Sequence, residues 1–218
     1  MYNPAQFEET RINVIHEVMR NHSLATIVYL GENGSGLVGN HIPLMIDDKH
    51  NPNNVNGTLM GHVARANPIW KNSGIDVLVI FQGAQAYITP SWYAAKKEHG
   101  KVVPTWNYVV VHAHGKLRAI DDSQWLMRHL NLATDKHESA ETRPWKVGDA
   151  PIDFMASTVK AIVGIEIDIA RLECKWKVSQ NRISADRISV ADGLAARGNH
   201  AMSTLVNPSR SKITQSLD

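Results

Sequence analysis

The sequence predicts a mainly β fold with peripheral helices, in the form of an antiparallel barrel, and three observations predict it. About six or seven runs rich in β-branched residues are spread through the chain, most densely in its first half. Most of the connections between them are too short for the crossovers that parallel strands require, which argues against a doubly wound α/β fold. So many short strands in an open sheet would also expose unpaired edges, and closing the sheet into a barrel removes them.

The elements follow in order. Pro4 to Asn21 carries Phe7, Ile12, Ile15, Val18 and Met19 at near-helical spacing and predicts an amphipathic helix. Leu24 to Leu30 and Leu37 to Ile46 predict a hairpin, joined by Gly31-Glu-Asn-Gly-Ser-Gly36, whose glycines and Asn33 supply positive φ. The turn-rich loop from Asp47 to Asn56 leads to a strand over Thr58 to Val63. Further strands are predicted at Val77 to Phe81, Ala86 to Thr89, Tyr108 to Leu117 and Ala161 to Ile169. Helices are predicted at Asp122 to Lys136, at Asp153 to Lys160 and from Ser184 towards Met202, the first two opening on a capping Asp.

Composition narrows the class of protein. With 218 residues, 43% hydrophobic and 20% charged, the chain excludes disorder and collagen-like repeats. One domain over residues 1–206 with a polar, frayed tail over 207–218 is expected. The single cysteine, Cys174, and the lack of a signal-like start at Met1-Tyr2-Asn3-Pro4 point to the cytoplasm, and no apolar run is long enough to span a bilayer. A net charge of +2 implies no nucleic-acid partner by itself.

Most short motifs carry little. Gly34-Ser-Gly-Leu-Val-Gly39 spells a dinucleotide loop but continues into a strand where that loop needs a helix. His112 and His114 share one strand face without a further ligand at definable spacing, so no metal is expected. Ser35, Ser91 and Cys174 lack any sign of activation as nucleophiles. The stretch Gly61-His-Val-Ala-Arg-Ala-Asn-Pro68 is more informative. It gathers His62, Arg65 and Asn67 where a strand ends and a turn begins, an arrangement suited to an anion such as phosphate, and equally to a capped, solvated turn. Ile88-Thr-Pro-Ser-Trp-Tyr93 and Val103-Pro-Thr-Trp-Asn-Tyr108, with Trp70 and Trp176, offer rigid flat surfaces that wall a planar heterocycle or pack a core.

Together these segments closely resemble the PaiB-type family of FMN-binding negative transcriptional regulators. The resemblance runs from Met1-Tyr-Asn-Pro4 through His41-Ile-Pro-Leu44, Gly61 to Pro68, Phe81-Gln-Gly83, Pro90-Ser-Trp-Tyr93, Pro104-Thr-Trp-Asn-Tyr108, Val111-His112, Gly115 and Trp176-Lys-Val-Ser-Gln-Asn-Arg182. It implies an FMN-binding split β-barrel like that of pyridoxamine-phosphate oxidases, in a homodimer with FMN at the subunit interface. It implies that His41, Ile42, Pro43 and Leu44 lie along the flavin ring and offer backbone groups. Gly61, His62, Ala64, Arg65 and Asn67 would hold the ribityl phosphate, with Arg65 as the main charge. Trp176, Gln180 and Arg182 would stand near the site, from the partner subunit, while Ser91, Trp92, Trp106 and Asn107 are motif positions without an assigned contact. Three positions depart from the family pattern near the expected pocket: Asn40 for a Thr, Ala84-Gln85 for a Pro-His pair, and His114 for an aromatic residue.

The function this implies is FMN binding in a regulator. The alternative is a flavin-dependent oxidoreductase acting on a small substrate, with His62 or His112 as proton donor. A dimer that has lost its cofactor is the third reading. DNA is a candidate partner through Arg187, Arg197, Arg210 and Lys212, although the sequence holds no helix-turn-helix signature.

Overall fold

A computed structural model describes residues 1–31, 35–48 and 54–207 of the chain. Its strands are β1 (Leu24–Leu30), β2 (Leu37–Pro43), β3 (Met45–Asp47), β4 (Thr58–Ala64), β5 (Asp76–Ile88), β6 (Thr105–Ile120) and β7 (Ile162–Lys177). Its helices are α1 (Ile12–Asn21), α2 (Lys96–His99), α3 (Ser123–Glu138), α4 (Ile152–Lys160), α5 (Ser184–Ala196) and α6 (His200–Val206). The seven described strands form one antiparallel sheet in the order β2-β1-β5-β6-β7-β4-β3. The mainly β, antiparallel prediction is correct.

The hairpin is in full register, from Leu24 opposite Pro43 to Leu30 opposite Leu37, and residues 32–34 of its loop lie outside the described residues. The run predicted to reach Ile46 breaks at Leu44, whose N–H donates to the Ser23 carbonyl at 2.8 Å, so β2 and β3 are separate strands. The long predicted first helix is shorter: α1 starts at Ile12. Upstream, Glu8 bridges Lys175 and the Glu9 N–H donates to the Cys174 carbonyl at 3.0 Å, so extended pairing displaces helix there. Val77–Phe81 and Ala86–Thr89 are not two strands but parts of β5, because the polar stretch Gln82 to Gln85 remains extended; its lack of apolar alternation hid the continuity.

Asp122 caps α3 as predicted, accepting from the Gln124 and Trp125 N–H groups. Asp153 does not cap α4; Pro151 occupies that position and Asp153 sits in the first turn, where it still complements the helix dipole. The last predicted helix is two, α5 and α6. Gly198, at φ 75°, ends the first in a conformation that glycine adopts without penalty, and the Asn199 side chain caps the second.

The contacts divide the chain into two compact units. One comprises residues 12–81 and 112–172, with α1, β1 to β4, α3 and α4 and parts of the long strands. Its alternating inward residues, among them Ile27, Leu44, Leu59, Val63, Phe81, Ile165 and Ile167, are buried and fill the barrel. Contact between β2 and β4 brings the two ends of the strand order together. The other unit comprises residues 1–11, 82–111 and 173–218, and its core includes Ile88, Tyr93, Val109, Val190, Ala191, Leu194, Met202 and Val206. The predicted tail falls almost wholly outside the described residues, as do 49–53 of the predicted second loop.

Candidate functional site

In the barrel unit, the strand expected along a flavin ring and the segment expected around a phosphate are neighbours. Among the described strands β2 pairs only with β1 and is an edge of the sheet, so its outer backbone donors and acceptors have no strand partner among the described residues. Ile42 and Leu44 point into the core at 4% and 1% exposure, while His41 and Pro43 are exposed. The Thr26 hydroxyl and His41 Nδ1 are 3.0 Å apart. Gly61 of β4 packs against this segment: a Cβ there would stand 2.6 Å from Leu44 Cδ2 and 3.0 Å from the Pro43 carbonyl oxygen, so a larger residue would have to displace the Leu44 side chain. Ala64, the last residue of β4, is exposed.

Beyond β4 the chain turns. Asn67 caps the 3-10 turn Pro68–Asn72 by accepting from the Ile69 N–H, and its amide donates to Asn40 Oδ1 at 2.9 Å. Asn40, one of the departures from the family pattern, therefore ties β2 to the turn after β4. Trp70 Nε1 donates to the Arg65 carbonyl at 2.9 Å, and the Arg65 guanidinium lies 5.8 Å from the Trp70 ring centroid.

Arg65, expected as the main phosphate charge, is heavily engaged. It donates to both carboxylate oxygens of Asp121, at 3.0 and 2.7 Å, and to the carbonyls of Lys160 and Ile162, at 2.8 and 3.1 Å. A guanidinium has five N–H donors, so these bonds leave one for an anion. The bidentate Arg65 partner holds the Asp121 carboxyl below its usual range. Sequence reasoning missed Asp121, because nothing local distinguishes it from the capping Asp122 beside it.

His62 is half-buried, and its Nδ1 lies 3.2 Å from Nε2 of His129 on α3. His129 is 4% exposed and stacks on Trp125, ring centroids 5.2 Å apart. Trp125 in turn lies over Gly164, where a Cβ would stand 2.4 Å from the indole. Burial pushes the His62 pKa down, and burial together with His62 pushes His129 down to about 4. His129 carried no sequence signal, since it is one histidine on a helix with no local partner.

The remaining predicted residues assemble within the other unit. Trp92 lies against Gly193, and the Arg197 guanidinium sits 4.7 Å from its ring centroid. Ser91 Oγ is 3.5 Å from Lys96 Nζ. Trp106, 48% exposed, donates from Nε1 to Gln85 Oε1 at 3.2 Å, and Gln85 also accepts from Asn199 through its carbonyl. Gln85 is thus the second departure from the family pattern that makes contacts of its own. Asn107 is buried and donates to Ser179 Oγ at 2.8 Å. Gln180 folds back on its own loop, accepting from the Val178 N–H and donating to the Trp176 carbonyl. Arg182 lies 4.8 Å over the Tyr93 ring. A small hollow of about 200 Å³ is lined by Gln82, Gly83, Gln85, Trp106, Tyr108 and Val109, below the usual range for a drug-sized ligand.

Three further features remain. An apolar groove of about 620 Å³ between α3 and α4, lined by residues such as Met127, Val147, Met155 and Val159, contains none of the predicted site residues. Burial pushes the Cys174 thiol up to about 12, so it is not a ready nucleophile. His112 and His114 share a face of β6, as read from the sequence, with ring centroids 6.5 Å apart.

The barrel unit's residues suit a flavin mononucleotide in kind. An open strand edge meets the polar rim of a ring, and His62, Asn67 and the remaining Arg65 N–H are donors for a phosphate. The fold itself is that of flavin-type split barrels. It matches the flavocytochrome Anf3 from Azotobacter vinelandii with a TM-score of 0.55 at 14% identity, over 78% of this chain and 69% of that one. It matches the FAD and heme binding protein from Mycobacterium smegmatis with a TM-score of 0.55 at 15% identity, over 78% and 73%. In sequence, residues 1–171 match the family FMN_bind_2, described as "Putative FMN-binding domain". The Bacillus subtilis (strain 168) "Protease synthase and sporulation protein PAI 2" is 32% identical, with 89% of each chain covered. A protein of Emericella nidulans is 31% identical, with 95% of each covered. The chain belongs to this FMN-binding family.

Proposed function

We propose that this protein binds FMN through the β2 edge and the Gly61–Asn67 segment, and that it serves as a flavin-dependent regulator of the PaiB kind. The observation that carries the reading is the juxtaposition of these two segments within one unit, through Gly61 against Leu44 and Asn67 on Asn40, in a chain of the FMN-binding family. When bound, the flavin supplies reversible electron and hydride acceptance. The chain's own residues bind and orient: the β2 backbone meets the ring's polar edge, and His62, Arg65 and Asn67 meet the phosphate. Trp176, Gln180 and Arg182 complete the site in a homodimer, contributed by the partner subunit, and Ser91, Trp92, Trp106 and Asn107 remain family-motif positions without an assigned contact. The regulatory role is supported by the similarity to the protein named "Protease synthase and sporulation protein PAI 2". DNA is a candidate partner for such a role through Arg187 and Arg197, with Arg210 and Lys212 outside the described residues; Arg187 also donates to the Val206 carbonyl and Arg197 lies over the Trp92 ring.

The test is the visible spectrum of the purified protein, followed by FMN titration if it is colourless. Flavin bands with about one FMN per subunit, and a salt-dependent DNA complex that retains sequence preference over nonspecific background, are the expected results. No FMN uptake would sink the cofactor reading. Equal binding to all DNA sequences would remove the direct repressor, and sustained turnover of a small oxidant or nicotinamide would favour an oxidoreductase.

A further inference from the structure

We propose that His129 is a positioning residue for His62: it donates from Nε2 to His62 Nδ1, fixing His62 as an uncharged ring whose remaining donor, Nε2–H, faces the ligand of the Gly61–Asn67 segment. The inference rests on the reading of that segment as an anion site, and the ligand's matching group is an acceptor such as a phosphate oxygen.

The direction of the hydrogen bond follows from burial. The two nitrogens are 3.2 Å apart, and one of them must carry the proton between the rings. His129 is 4% exposed, and its other nitrogen, Nδ1, is buried without a hydrogen-bond partner among the described residues. A buried N–H without an acceptor is the rarer and costlier orphan, so Nδ1 keeps its lone pair and the proton of His129 sits on Nε2. His62 then accepts at Nδ1 and carries its own proton on Nε2.

The surroundings keep both rings neutral. On α3 itself His129 stacks on Trp125, whose Nε1 donates to Glu166 of β7 at 2.8 Å. That carboxylate is neutralised by Arg118 of β6, which also reaches Asp168 at 3.2 Å. The α4 and Val147–Asp149 elements packed against α3 bring Lys160, Lys146 and Asp149, with Lys146 paired to Asp135 of α3 at 3.6 Å. Among the described residues no carboxylate is hydrogen-bonded to either imidazole, so nothing offsets the desolvation of an imidazolium. The lowered pKa of both rings agrees with this. Trp125 holds the stack in place because Gly164 has no side chain to exclude it.

The arrangement gives the site a donor of fixed direction that stays uncharged through neutral pH. A lone, solvated histidine would present a mixture of tautomers and be half protonated near pH 6.5.

Long-range proton–nitrogen correlation spectra of the flavin-free protein read tautomer and titration ring by ring. The expected result is His62 as the Nε2–H tautomer, with His129→Gln preserving it because the amide still donates. His129→Phe, which keeps a ring against Trp125 but has no donor to the neutral ring, should give mixed tautomers and move the His62 titration upward. FMN should bind about 2–10-fold more weakly to His129→Phe, as for loss of one hydrogen bond, and recover in His129→Gln. A His62 Nδ1–H tautomer in the wild type overturns the proposal, even if His129→Phe fails to fold. So does a His62 titration or an FMN affinity identical in wild type and His129→Phe. If the wild type takes up no FMN while the spectra show the expected tautomer, it is the cofactor reading of the segment that fails, and the histidine pair stands.

Discussion

At the scale of single residues, Arg65 separates what a motif suggests from what a side chain is free to do. Its guanidinium is bonded to Asp121 and to two carbonyls, so Arg65→Ala would unfasten the end of β4 as well as remove a charge. The informative variant is Asp121→Asn. If Arg65 is the phosphate's partner, weakening the competing carboxylate should tighten FMN binding several-fold, whereas Arg65→Ala should loosen it about fivefold or more. An FMN dissociation constant unmoved by either change would leave Arg65 with a purely structural role. His129 makes a second prediction. Its pKa in the folded protein is about 4 against an ordinary 6.5, so below 6.5 the unfolded chain binds the extra proton and the folded one resists it. The stability this residue contributes is therefore complete above pH 6.5 and falls as pH drops towards 4, by on the order of 3 kcal/mol in total. Urea unfolding at pH 7.5, 5.5 and 4.5 should show that loss in the wild type and a smaller one in His129→Gln; equal slopes would mean that His129 is not held neutral.

At the scale of elements, the packing of α5 on the Pro90–Trp92 turn is the clearest dependence on one position. Gly193 lies in a helix interior, where replacement by Ala ordinarily gains about 1 kcal/mol. Here the new Cβ would stand 2.4 Å from the Trp92 indole, and overpacking of that kind costs about 1–3 kcal/mol. The clash outweighs the propensity, so Gly193→Ala should lower the thermal midpoint; a more stable variant would show that Trp92 is not seated on α5 in solution. The elements also show where periodicity speaks and where it fails. β1, β4 and α3 were legible almost to the residue, because each alternates or repeats cleanly against one buried face. The middle of β5 was not, since Gln82 to Gln85 are held extended by their neighbours rather than by their own pattern. The start of α1 was misplaced for the converse reason: Glu8 and Glu9 fit a helical stripe locally but pair with β7.

At the scale of the molecule, a cofactor that binds only the folded chain must stabilise it. FMN at a concentration a hundredfold above its dissociation constant should add about 2.7 kcal/mol, raising the melting midpoint of a chain this size by several degrees. An unchanged midpoint at saturating FMN would argue against a site formed by the fold. If the partner subunit contributes the Trp176–Arg182 segment, sedimentation should show a dimer, and disrupting that dimer should remove FMN binding with it. A monomer that binds FMN with full affinity would confine the site to residues of one chain. No described helix is long and apolar enough to cross a membrane.

The sequence by itself determined the strand-rich, antiparallel class, the hairpin from Leu24 to Pro43, the cap at Asp122 and the family, because these depend on local alternation, turn chemistry and long words of residues in order. It also marked Gly61 to Asn67 as a place where donors converge. Only the tertiary structure decided how those donors are occupied: Asp121 on Arg65, His129 on His62, Asn40 on Asn67 and Gln85 on Trp106. All four partners lie more than 20 residues along the chain from the side chain they engage. The physical reason is that hydrogen-bond occupancy depends on the distance between atoms in space, which no periodicity along the chain encodes.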